Sequence, residues 1–118
     1  MTDHIKIRAL SGKWSIRAAG AVIAETCGAL ELTEQGYNPV IYFPRDDIAM
    51  AFLDQTEKTS HCPHKGDANY FSIITKNGPI ENVAWSYEAP KPEVAQIEGH
   101  LAFHTGDPVS DLVTIERV

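Results

Sequence analysis

The stretch from Ile5 to Glu25, IKIRALSGKWSIRAAGAVIAE, decides the fold class. Ile5, Ile7 and Ala9 alternate with Lys6 and Arg8, the period-two pattern of a half-buried strand. Ser11-Gly12 is a turn signal. Trp14-Ser15-Ile16-Arg17 repeats the alternation, which predicts a hairpin with the first strand. Gly20 marks another turn, and Val22 and Ile23 favour extended structure from Ala21 to Glu25. Three short strands so close together predict an antiparallel meander.

Working outward, Ala29 to Glu34 reads two ways: Leu30 and Leu32 alternate with Glu31, yet all are good helix formers. Gly36-Tyr37-Asn38-Pro39 ends the segment in either case. Val40 to Phe43 is a strand stopped by Pro44. Asp46 or Asp47 is placed to cap one short helix carrying Ile48, Ala49, Met50, Phe52 and Leu53. Glu57 to Gly66 reads as a polar loop and Tyr70 to Thr75 as a strand, with Lys76-Asn77-Gly78-Pro79 as a turn. Asn82 to Tyr87 is a further strand that places Val83, Trp85 and Tyr87 on one face. Pro92-Glu93-Val94-Ala95 suits one helical turn. Strands are expected from Gly99 to His104 and from Leu112 to Val118. The chain shows no internal repeat and no linker, so residues 1–118 are expected to form one mainly β domain: a small antiparallel sheet assembly with one short helix after Tyr42-Phe43-Pro44-Arg45.

Composition narrows the functional classes. The 118 residues are 43% hydrophobic and 22% charged, a globular balance. Ten basic residues against 16 acidic ones give a net charge of −6. With Lys and Arg scattered from Lys6 to Arg117, no basic patch invites a phosphate backbone, so no nucleic-acid partner is expected. No apolar run approaches the roughly 20 residues of a membrane-spanning helix, and Met1 to Arg8 do not resemble a signal peptide. Cys27 and Cys62 are read as free thiols in a reducing, cytoplasmic setting.

Three stretches exceed generic β-protein composition: Tyr42-Phe43-Pro44-Arg45-Asp46-Asp47; Thr59-Ser60-His61-Cys62-Pro63-His64-Lys65-Gly66-Asp67-Ala68-Asn69-Tyr70; and Ala84-Trp85-Ser86-Tyr87 running on to Pro92-Glu93 and Gly99. Their order and spacing closely resemble the family known as domain of unknown function 427, which sometimes carries a nominal nucleotidyltransferase label. The resemblance covers nearly the whole chain. It implies a small β-tent fold, similar in outline to methionine sulfoxide reductase B and the thalidomide-binding domain of cereblon, and it implies no activity. The chain departs from the family pattern at His64 and near His104, where tyrosine is common.

Around these stretches the residues suggest a pocket for a small, partly anionic molecule. Lys65-Gly66 suits a positive-φ turn that aims backbone N–H groups at an anion. Lys65 and Arg45 would add positive charge, with Trp85 and Tyr87 as an apolar wall and Tyr42 and Tyr70 in support. A plainer reading has Pro63 and Gly66 shape a tight turn, Lys65 solvated, and Trp85 and Tyr87 in the core.

Two other readings stay open. Cys62 would be the catalytic nucleophile of a thiol enzyme if His61, His64 and Lys65 face it, with His61 or His64 as base. Alternatively, the domain recognises a peptide, or forms a homodimer through an exposed strand edge. Cys27 is read as a packing residue. A structural zinc clip built from close cysteine pairs is excluded, because the two cysteines stand far apart. The reading assigns no metal and no cofactor, while a mixed set from His61, Cys62, His64, His100 and His104 is left open. Phosphate-binding GxxxxGK[ST], dinucleotide GxGxxG and nucleophile-elbow G-x-S-x-G motifs are missing. Asp46-Asp47, a carboxylate pair of the kind that holds magnesium, is better explained by helix capping.

Overall fold

The computed structural model describes residues 4–118. Ten strands follow in order: β1 (Ile5–Ala9), β2 (Trp14–Ala18), β3 (Ala21–Thr26), β4 (Leu30–Glu34), β5 (Val40–Tyr42), β6 (Leu53–Cys62), β7 (Gly66–Thr75), β8 (Gly78–Tyr87), β9 (Leu101–Phe103) and β10 (Val113–Arg117). They form three antiparallel sheets with orders β1-β4-β5, β10-β2-β3 and β6-β7-β8-β9. The fold is mainly β, as the alternation predicts. Its radius of gyration of 13.7 Å is close to the roughly 13.5 Å of one compact domain of this length.

The pairing differs from the expected meander. β2 and β3 form a hairpin through Ala19-Gly20, whose left-handed φ values of 50° and 87° suit a tight turn. β1, however, pairs not with β2 but with β4, in the register Ile5↔Glu34 to Ala9↔Leu30. The Ser11-Gly12 turn carries the chain from one sheet to another. It closes no hairpin: Leu10 N–H donates to Ala29 C=O at 2.9 Å, extending the β1–β4 ladder instead. This pairing resolves the ambiguous Ala29–Glu34 segment as strand β4.

The expected polar loop at Glu57–Gly66 is also corrected. Most of it belongs to β6, which pairs with β7 to Cys62↔Gly66 and leaves only Pro63–Lys65 as a turn. β6 is a sheet edge, so its polar side chains face solvent and hide the alternation of a half-buried strand. The helix after Arg45 is realised as two 3-10 turns, Arg45–Asp47 and Met50–Phe52, neither with a side-chain cap. Asp47 instead accepts a hydrogen bond from the buried Thr26 hydroxyl at 2.7 Å, tying the first turn to β3. That bond accounts for one carboxylate of the Asp46-Asp47 pair. The turn expected at Pro92 is a 3-10 segment, Pro92–Ile97.

Two cores result. One gathers Ile16, Ala24, Phe43, Phe71, Ile73, Leu101 and Val113 from the second and third sheets and the segment after β5. The other gathers Leu32, Tyr42, Ala68, Tyr87, Ile97 and Ala102, between the first sheet and the third. Phe43 joins the sheets by exchanging backbone hydrogen bonds with Leu101 at 2.8 and 2.9 Å. Trp85 and Tyr87 pack with the second core, but Val83 packs with the first. A bulge between Phe71 and Ile73 and a left-handed Asn82 (φ 53°) break the β8 alternation that would have put all three together.

Candidate functional site

Two turns meet at one end of the second core: Gln35–Pro39 after β4, and Pro63–Lys65 after β6. Between them lies a cleft of about 650 Å³ whose floor includes Leu32 and Val40 and whose polar side chains include His4, Glu34, Cys62, His64 and Lys65. Register delivers these groups. Ile5 pairs with Glu34, and Gln35 N–H donates to His4 C=O at 2.9 Å, so His4 is fixed beside the end of β4. Across the cleft, Lys65 N–H donates to Cys62 C=O at 3.2 Å and Lys91 N–H to Lys65 C=O at 2.9 Å, holding the turn on both sides. Gly66 takes φ 115° there, a conformation that favours glycine.

The electrostatics centre on Glu34. Lys65 Nζ donates to its Oε1 at 3.0 Å, and the two side chains are 13% and 12% exposed. Glu34 Oε2 faces His4 Nε2 at 3.9 Å. The His4 ring meets the His64 ring edge to face, with centroids 4.5 Å apart. Exposed His61 is held by Asp67, Nδ1 to Oδ1 at 2.6 Å.

The structure brings only some of the sequence-predicted residues to this cleft. Cys62 and Lys65 line it. Arg45 is committed elsewhere: it donates to Gly99 C=O at 3.0 Å and Ser86 Oγ at 3.4 Å, pairs with Glu88, and lies 5.7 Å from the Phe71 ring centre. Tyr42 and Tyr87 are buried in the second core, at 1% and 6% exposure. Tyr70 is half-buried under the β6 edge, with Lys58 Nζ 4.6 Å from its ring centre and Ser60 Oγ 3.0 Å from its hydroxyl. Trp85 lines a separate hollow of about 310 Å³, and its ring meets that of His104 with centroids 4.6 Å apart and planes tilted by 44°. Cys27, read as packing, is exposed, because β3 ends at Thr26 and the chain leaves the core there. Both cysteines are free thiols.

Burial sets the titration of the aromatic groups. It pushes the Tyr42 hydroxyl up to about 12, against a smaller opposing effect from the Trp85 indole; nearby Cys62, Glu34 and Tyr70 add to the rise. Burial likewise raises Tyr87, with Tyr42 next in effect. His104 is lowered by desolvation, then by the Lys58 charge.

Sequence reading missed His4 and Glu34. Neither sits in a motif, and they meet only through the β1–β4 register, so the signal was the pairing of two separated strands. The turn's backbone contributes less to an anion site than expected, since Lys65 N–H is spent on Cys62 C=O.

The chain belongs to the family described as a domain of unknown function (DUF427), whose family model matches residues 6–115. A search of curated proteins gives no match.

Proposed function

We propose that this member of the family binds a small, partly anionic molecule in the cleft between the β4–β5 and β6–β7 turns. The supporting observation is the convergence of Lys65, His4 and His64 on a cavity of about 650 Å³, within the roughly 300–1,000 Å³ of small-molecule sites. The apolar floor receives the non-polar part of the ligand. Lys65 supplies an ammonium whose charge Glu34 offsets in part, and the imidazoles supply N–H donors. Glu34 holds the Lys65 ammonium at the wall of the cleft, so an incoming carboxylate or phosphate ester meets a positioned cation. Arg45, Tyr42 and Tyr87 serve the fold in this reading, and Trp85 and Tyr70 lie outside the cleft. The two free thiols suit a reducing, cytoplasmic compartment.

A thermal-shift screen of small carboxylates and phosphate esters tests the reading, because a ligand that prefers the native state raises the melting temperature. A hit should lose its shift in Lys65→Met/Glu34→Leu, which removes both members of the ion pair, and keep it in Arg45→Ala. A shift that survives the first substitution, or a panel with no hit, refutes the proposal.

Cys62 lines the same cleft, half-buried, which keeps a second reading in play: a thiol enzyme acting on the bound molecule. His61 is turned to Asp67 and His64 to His4. A base for that thiol would therefore require one of them to turn.

A further inference from the structure

Three side chains at the cleft rim have the donor set and spacing of a metal site: an imidazole nitrogen of His4, a carboxylate oxygen of Glu34 and an imidazole nitrogen of His64, all within 4.8 Å of one another. We propose that they bind a divalent transition metal ion of the zinc type. Two imidazoles and one carboxylate form the three-ligand set of open zinc sites, with the remaining position left to water or a ligand. The donors are nitrogen and carboxylate oxygen, which suits zinc, cobalt or nickel and disfavours calcium and magnesium, whose sites are built of oxygen.

The surroundings orient the carboxylate and place the backbones that carry the two imidazoles. Lys65 occupies Glu34 Oε1 at 3.0 Å, leaving Oε2 as the oxygen nearer His4. Fixing a ligating carboxylate through its second oxygen is what outer-shell partners do around metals. The main chain of His4 is held by the Gln35 N–H to His4 C=O bond. His64 sits on a turn braced by Lys91, and the edge-to-face rings bring both imidazoles close without stacking them. An ion pair between protonated His4 and Glu34 would explain one histidine, but it gives His64 no part. The inference shares His4 and His64 with the small-molecule reading but does not rest on it, since the metal alone is the probe.

The experiment is equilibrium binding of zinc chloride to the metal-stripped, tag-free chain, repeated with cobalt chloride to read the ligand field by absorption. The expected result is one zinc per chain and a cobalt spectrum of low-coordinate nitrogen–oxygen ligation. His64→Ala and His4→Ala should each weaken zinc by more than about 100-fold, beyond the loss typical of an outer-shell partner. His64 is exposed, so its variant should keep the native melting temperature in the absence of metal, and this separates ligation from folding. His100→Ala is the surface-histidine control and should bind as the parent does. No saturable binding, binding that survives His64→Ala or His4→Ala, or equal loss in His100→Ala overturns the proposal.

Discussion

Lys65 Nζ donates to Glu34 Oε1 at 3.0 Å with both side chains about seven-eighths buried, so one ion pair bolts the β6–β7 turn to the end of β4. An exposed pair contributes almost nothing and a buried one costs several kcal/mol when halved, because the survivor is left charged and unpaired. Lys65→Met alone should therefore cost about 3 kcal/mol, or about 12 °C in melting temperature for a chain of this size. Lys65→Met/Glu34→Leu should recover most of it. Urea unfolding of the two singles and the double checks this, and a double as unstable as the sum of its singles would contradict it.

Arg45 is the second cation, and its bonds predict a structural part. One guanidinium spans Gly99 C=O, Ser86 Oγ and Glu88, clamping the 3-10 turn after Pro44 to β8 and to the segment before β9. Arg45→Ala should destabilise the fold by about 1.5–3 kcal/mol, the usual range for hydrogen bonds to a charged group. Arg45→Lys should restore little, since an ammonium cannot reproduce the planar fork. Neither should alter binding in the cleft. An Arg45→Ala protein of parental stability that had lost cleft binding would reverse this assignment.

These two cations show what the sequence disclosed. The motifs around Arg45 and Cys62–Gly66 were visible because Pro and Gly punctuate them and because they are spelled contiguously. What each cation touches was not visible. Arg45 meets Glu88 and Gly99, 43 and 54 residues away, and Lys65 meets Glu34, 31 residues away. Such contacts depend on which strands pair, and short alternating strands carry the period of a sheet without the identity of the neighbour. The Ser11-Gly12 turn misled for that reason. β6 escaped notice because edge strands hold polar residues where buried strands alternate, so Glu57–Cys62 read as a loop. His4 and Glu34 were hidden in the same way.

The buried tyrosines predict an alkaline limit to stability. The Tyr42 hydroxyl ionises near 10 in the unfolded chain and is pushed up to about 12 in the fold. Between those values the unfolded chain holds fewer protons than the native one, so stability is complete below about pH 10 and falls as pH rises toward about 12. Two pH units correspond to at most about 3 kcal/mol, and Tyr87, raised also by burial, adds in the same direction. Denaturant unfolding between pH 8 and pH 11.5 should show this decline. Tyr42→Phe should flatten it, and an equally steep decline in that variant would place the effect elsewhere.

Accessibility distinguishes the two thiols and bears on the thiol-enzyme reading. Cys27 is exposed just past the end of β3, whereas Cys62 is half-buried where β6 turns into β7, against the second core. Alkylation requires approach to the sulfur as well as thiolate. Iodoacetamide at neutral pH, followed site by site by mass spectrometry, should therefore modify Cys27 first. Because Cys62 lines the cleft with Lys65 and His64, a molecule bound there should slow its labelling and leave Cys27 unchanged. If Cys62 instead reacts faster than the exposed thiol, its surroundings activate it, and the cleft belongs to an enzyme that uses that sulfur. If bound molecule protects neither cysteine, the cleft is not where the molecule sits.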